Sequence, residues 1–131
     1  TEITTLEGAG SGIMMDGGHG HDTFHISSGD SIDFTAINDA FIKNIERLGM
    51  IDGGSTGQTI NLSYTDVVAM TDDSNILRID MDSDDTLNFT NNNGNGNEFY
   101  LINSGSDYDT YTDGVVTLMV DADTTNVTGI V

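Results

Sequence analysis

Cysteine and proline are both absent from these 131 residues, and only Lys43, Arg47 and Arg78 carry a fixed positive charge against 22 acids. Without cysteine there are no disulfides, so an extracellular domain of this size needs other staples, and bound cations are the obvious choice. Without proline, sheet edges must be protected by acids. The net charge of −19 repels phosphate, which excludes nucleic acid as a partner and disfavours anionic membranes. No apolar run approaches the length of a spanning helix, so no membrane span is expected. The length suits one domain with a modest core. The chain opens Thr-Glu-Ile, without an initiator Met or a signal peptide, and is expected to be a piece of something longer.

What is abundant is aspartate: apart from Glu2, Glu7, Glu46 and Glu98, every acid is Asp. A charged helical surface would favour Glu, a good helix former. Aspartate instead suits turns and cation binding. Self-repulsion at this charge costs stability unless counter-ions are bound. An acidic surface kept soluble by charge alone would explain the total, but not the clustering or the glycine spacing.

The stretch Asp16–Phe24, DGGHGHDTF, matches the second half of a nonapeptide calcium repeat, G-G-x-G-x-D-x-U-x with U apolar. Gly17, Gly18 and Gly20 hold the glycine places, Asp22 the acid place and Phe24 the apolar one. Glycine is needed there because the turn takes backbone geometries that a Cβ opposes. Carbonyls and one carboxylate per turn suit Ca²⁺, a hard cation that takes about 6–8 oxygens. Counting back by nines gives Met15 and Leu6, so the apolar beat holds over three turns. Between Leu6 and Met15, however, Ala9, Ser11 and Ile13 stand where glycine, glycine and aspartate belong. Two readings stay open. One is a Ca²⁺ held by Asp22 and the carbonyls near Gly17 and Gly20. The other is a glycine-rich turn that keeps its shape without metal.

Further along, Ile32 and Phe34 alternate with polar residues and predict a short strand. Residues 37–48 are ambiguous between helix and strand. Ser63-Tyr64-Thr65-Asp66 reads as a capping box and predicts one short helix from Tyr64 to Met70. Ile76–Met81 is a strand with Arg78 and Asp80 on one face and Leu77, Ile79 and Met81 on the other. Further strands are expected at Ile60–Leu62, Thr86–Phe89, Phe99–Ile102, around Tyr108–Thr112, at Val115–Val120 and at Val127–Val131. NNNGNGN, residues 91–97, is a polar loop. The five phenylalanines are core candidates. Tyr100, Tyr108 and Tyr111 are either ordinary strand residues or platforms for sugars. The fold expected is all-β. A short parallel β-roll or β-solenoid-like N-terminal turn, residues 1–36, leads into a mainly antiparallel β-sandwich-like domain with one short helix, residues 37–131. The two are expected to form one folded unit.

Asp80, Asp82, Asp84 and Asp85 form a D-x-D-x-D-D run whose alternating carboxylates can converge on one Ca²⁺. It lacks the glycine and distal Glu of an EF-hand loop. The plain alternative is a solvated acidic turn. Asp72-Asp73 lie one element earlier, and Asp107, Asp109, Asp113, Asp121 and Asp123 are further candidates for a shared site. His19, His21 and His25 crowd beside Asp22. HGHD resembles the H-x-H-x-D-H signature of metallo-β-lactamase-like hydrolases, but the spacing fails, leaving at most a fortuitous zinc or nickel site. There is no Gly-x-Ser-x-Gly elbow and no Cys nucleophile, so no enzyme is expected.

The degenerate repeat at 6–24 resembles the frayed end of an RTX (repeats-in-toxin, hemolysin-type calcium-binding) β-roll. The segments NIERL (44–48), GQTINLSYTDVVAMTDDSNILRIDMDSDDTLNF (57–89) and YDTYTDGVVTLMVDADTTNVTGI (108–130) resemble, in their order, a module of large RTX adhesins secreted by the type 1 route. Met81 departs from it, standing where that module often has Gly. The resemblance implies a secreted or bacterial cell-surface location, Ca²⁺ as cofactor, neighbouring domains of a longer chain as partners, and a role in adhesion or biofilm. Two further roles stay open. One is a tip domain gripping a carbohydrate or peptide on a host or matrix surface. The other is the RTX tail of a secreted hydrolase or toxin.

Overall fold

Short apolar-alternating runs separated by Gly, Asn and Asp become short strands, because each run is long enough to cross a sheet once and no longer. The computed structural model describes residues 15–27, 29–50, 56–122 and 126–130. In chain order the strands are β1 (Met15–Asp16), β2 (Thr23–His25), β3 (Ser31–Asp33), β4 (Ile42–Lys43), β5 (Arg47–Gly49) and β6 (Thr59–Ser63). After helix α1 (Tyr64–Met70) come β7 (Ile76–Asp80), β8 (Thr86–Thr90), β9 (Tyr100–Ser104), β10 (Tyr108–Thr112), β11 (Thr117–Asp121) and β12 (Val127–Thr128). The ambiguous stretch 37–48 resolves into a single 3₁₀ turn at Asp39–Phe41, then β4 and the start of β5. Among the described residues no helix is long and apolar enough to cross a membrane.

The chain makes repeated passes between two sheets. β2, β5, β7 and β11 lie side by side in a six-stranded sheet that β10 and β9 complete. β3, β6, β8 and β12 form a four-stranded sheet. β1 and β4 pair with each other, and α1, which holds the corresponding chain position in the third pass, packs against β4. Every pairing between passes is parallel. Among the described residues only β9, β10 and β11 pair antiparallel.

The expected mainly antiparallel sandwich is therefore corrected: the sheets are parallel or mixed. Antiparallel neighbours can be joined by a tight hairpin, whereas parallel ones need a crossover connection. Here most strands are followed by a crossing to the other sheet, so neighbours in a sheet come from successive passes and run the same way. Side-chain alternation has the same period in either direction, so it could not reveal this.

Stacking across passes builds the core. Phe24, Leu48, Ile79 and Val120 form one column, and Ile32, Ile60, Leu87 and Val127 another. Edge-to-face rings add Phe24–Phe34 at 5.7 Å and Phe89–Phe99 at 5.4 Å between centroids. Phe24 stacks on Leu48 rather than on a residue a multiple of nine away. Met15 lies in β1, off the sheet that holds Phe24. Leu6 and the turn that follows it lie outside the described residues.

Four residues before Phe24, Leu48 and Ile79, the backbone is left-handed each time: Gly20 at φ 113°, Asn44 at φ 56° and Asn75 at φ 51°. Glycine and asparagine are the residues that tolerate this conformation. One turn is thus repeated in three passes by sequences with little letter-by-letter likeness.

Helix α1 begins as its sequence predicts. Ser63 Oγ accepts from Asp66 N–H at 3.3 Å, and Asp66 Oδ2 accepts from Ser63 N–H at 2.7 Å. Reciprocal caps of this kind satisfy two otherwise orphaned donors. At the other end, Met70 C=O accepts from Ile45 N–H at 2.8 Å and ties the helix to the second pass.

Candidate functional site

The acids singled out by sequence separate into three places. The glycine turn Gly17–Asp22 precedes β2, the run Asp82–Asp85 follows β7, and Asp80 lies on the outer face of the six-stranded sheet. The two turns thus sit at opposite ends of parallel strands and share no site.

In the turn after β7, Asp82, Asp84 and Asp85 each place a carboxylate oxygen within 4.8 Å of the others. The turn is closed by Asp85 N–H donating to Asp82 C=O at 3.1 Å. Asp85 is fully buried, its Oδ1 accepting from Gln58 N–H at 2.8 Å and its Oδ2 from Asp82 N–H at 2.7 Å. Burial pushes its carboxyl above the usual range; the two N–H donors oppose this, and the charges of Asp84 and Asp82 add to it. Asp84 keeps a buried Oδ1 with no hydrogen-bond partner. Gly57 lies against the Asp84 carbonyl so closely that a Cβ would come within 2.3 Å of it. Three carboxylates brought this close together are the kind of group a hard cation takes up.

Asp80 parts company with them. Its buried carboxylate is gripped by Arg47, by Arg78 Nε at 2.8 Å and by the Tyr108 hydroxyl. The Arg78 guanidinium also lies over the Tyr108 ring, 4.5 Å from its centroid. Burial would raise the Asp80 carboxyl, but Tyr108, Arg78 and Arg47 outweigh it and hold the group below the usual range. Asp80 thus serves an ion-pair network on the sheet.

In the glycine turn, Gly18 (φ 87°) and Gly20 are left-handed, and a Cβ on Gly17 would meet the Asn44 carbonyl at 2.1 Å. Asp16 Oδ1 accepts from Asn44 Nδ2 at 2.6 Å and from Gly18 N–H at 3.0 Å, and these bonds lower its carboxyl. The Asp22 carbonyl accepts from Glu46 N–H and Arg47 N–H, both at 3.1 Å. Its own N–H donates to Glu46 Oε2 at 2.9 Å. Asp22 Oδ2 and Glu46 Oε1 are buried and have no hydrogen-bond partner.

The remaining candidates do not converge. Asp72 accepts from Ser74 N–H at 2.8 Å. Asp113 caps the β10–β11 turn by accepting from Val115 and Val116 N–H at 2.9 Å, whereas Asp121 pairs with Tyr108 at the other end of those strands. Asp123 lies outside the described residues. Among the described residues no histidine joins a group of three convergent ligand side chains. Phe24, Phe34, Phe89 and Phe99 are core, Tyr111 packs against it, and Tyr100 is exposed.

Sequence reasoning missed Glu46, Gln58 and the grip of Arg47 on Asp80. Only alternation, which puts Arg78 and Asp80 on one strand face, hinted at that network. The other partners come from different passes, and nothing local announces them. No known family model, curated protein or solved structure matches this chain.

Proposed function

We propose that this chain is a non-enzymatic, calcium-stabilised module of a large secreted bacterial surface protein of the RTX kind, serving adhesion. In this reading the stacked passes are a short solenoid, roll-like at its first turn, and neighbouring domains continue the chain on either side. The observation that carries the reading is the convergence of Asp82, Asp84 and Asp85 in one turn, where a buried oxygen of Asp84 has no hydrogen-bond partner. Calcium binds the folded form, neutralises the repulsion and stabilises it by mass action. Scarce calcium inside a cell and plentiful calcium outside then make folding depend on location.

Thermal melts of the full chain, from chelator to several-fold saturating calcium with magnesium as control, test this. A calcium-specific rise in midpoint supports the reading. An unchanged cooperative melt overturns it and leaves the acidity as a solubility device.

A second reading, a tip domain gripping a peptide, draws on β9. This edge strand is exposed along its whole length, with Tyr100, Leu101 and Ile102 about half exposed or more. Edge strands with apolar side chains are templates for strand addition.

A further inference from the structure

The parallel pairing of β2 with β5 aligns Thr23 with Arg47 and Phe24 with Leu48, which sets Asp22 beside Glu46 just ahead of the strands. On β7 and β11 the same column is continued by Leu77 and Leu118, both fully buried. The column faces the core, because it lies two residues before Phe24, Leu48, Ile79 and Val120 and side chains alternate along a strand. Two acids therefore stand where later passes place leucine.

They are poorly provided for there. Glu46 is 7 % exposed, and its Oε1 has no hydrogen-bond partner; neither has Asp22 Oδ2. A buried charged oxygen without a donor is costly, and two carboxylates side by side repel. The adjacent guanidinium of Arg47 is committed to Asp80. Glu46 also lines a cavity of about 400 Å³ together with His21, Thr23, Arg47, Ser74 and Arg78, which gives its carboxylate a route to solvent.

We infer that Glu46 and Asp22 together hold a divalent, oxygen-seeking cation, with Glu46 supplying the second carboxylate that a lone glycine-repeat turn lacks. The inference rests on the calcium-stabilised reading and adds a site separate from Asp82–Asp85. Hard cations of the Ca²⁺ type accept carboxylate, carbonyl and water oxygens in flexible geometry. Two carboxylates on adjacent strands supply charge from both passes, so the ion would join the first pass to the second as well as neutralise it.

Calcium stoichiometry by titration calorimetry, with melts in chelator and in calcium, tests this on the full chain. Three variants are compared with the unaltered protein: Glu46→Gln, Glu46→Leu, and Asp82→Asn combined with Asp84→Asn. The expected result is that both Glu46 variants bind one calcium fewer and gain less from calcium. In chelator they melt at or above the unaltered protein, since a buried unpaired charge has gone. The double variant keeps calcium binding that a further Glu46→Gln removes. Glu46 variants that bind as many ions as tightly as the unaltered protein overturn the inference. So does a folded double variant that binds no calcium, which would decide the matter even if the Glu46 variants failed to fold. In both of those cases the wider reading survives. If the unaltered protein itself binds no calcium, both fall together.

Discussion

Asp80 and Asp85 belong to one acidic run and both are fully buried, yet their surroundings push them in opposite directions. Asp80 ends a strand in the middle of a sheet, where Arg47 on one neighbour and Tyr108 near another can reach it together with Arg78 on its own strand. Asp85 sits in the turn beyond, where the backbone N–H groups of Gln58 and Asp82 donate to it and two further aspartates crowd it. In a chain with three cations, two are spent on one carboxylate. The difference teaches that acids in this fold are of two kinds. One kind is neutralised by the protein itself. The other is crowded by like charge, and in the calcium-stabilised reading proposed above a bound ion neutralises it.

The sharpest way to break that comparison is Asp80→Ala. Removing the shared acceptor leaves two guanidiniums and a tyrosine without their partner. A loss of roughly 2–3 kcal/mol is expected in urea denaturation, equal with and without calcium. A loss that calcium restores would put Asp80 in the other class.

The next largest effect belongs to the turn. At about a hundredfold excess over Kd, calcium adds roughly 2.7 kcal/mol at a single site. Asp82→Asn with Asp84→Asn should remove the share of that gain due to this turn and slightly stabilise the calcium-free protein. Denaturation curves at fixed calcium check both.

Acid should divide the two kinds by sign. The lowered carboxyl of Asp80 contributes stability that is present above the unfolded value of about 3.9 and is lost as pH falls through its folded value. The raised carboxyls of Asp85 and Asp66 do the reverse: they cost stability when ionised, and the cost disappears as pH falls from neutral through their folded values toward about 3.9. In chelator, stability should therefore rise on mild acidification and fall below about pH 4. In saturating calcium the Asp85 share of that rise should vanish or invert, because protons then displace the ion, while the Asp66 share remains. Denaturation free energies from neutral pH downward, with and without calcium, read this directly. A mild-acid rise of the same size in both conditions would refute it.

The smallest effect is Tyr108→Phe. It deletes one hydroxyl from the Asp80 network and keeps the ring under Arg78, so about 1 kcal/mol is expected, again independent of calcium. The same denaturation series measures it.

How much of this was legible varies with range. The capping box at Ser63–Asp66 placed α1 correctly, because a cap is made by residues three apart. The strand at Ile76 was legible from alternation, as was the shared face of Arg78 and Asp80. The turn at Asp82–Asp85 was found by its run of acids, and the structure brings three of the four named carboxylates together. Asp80 was grouped with them because adjacency in sequence says nothing about a partner such as Arg47, which arrives on another pass. Glu46 carries no motif. Only its register beside Asp22, and a column that continues as Leu77 and Leu118, marks it as an acid in an apolar position.

By itself, then, the sequence determined what neighbours along the chain can decide: where strands alternate, where the helix is capped, where the glycines at 17–20 make a turn, and that negative charge far exceeds positive. The tertiary structure alone decided which way the strands run, which residues stack from pass to pass, and which carboxylates meet a guanidinium. The physical reason is that alternation and capping are set within a few residues. Parallel register, by contrast, is set between passes many residues apart, by the packing of columns such as Phe24, Leu48, Ile79 and Val120 that no single stretch contains.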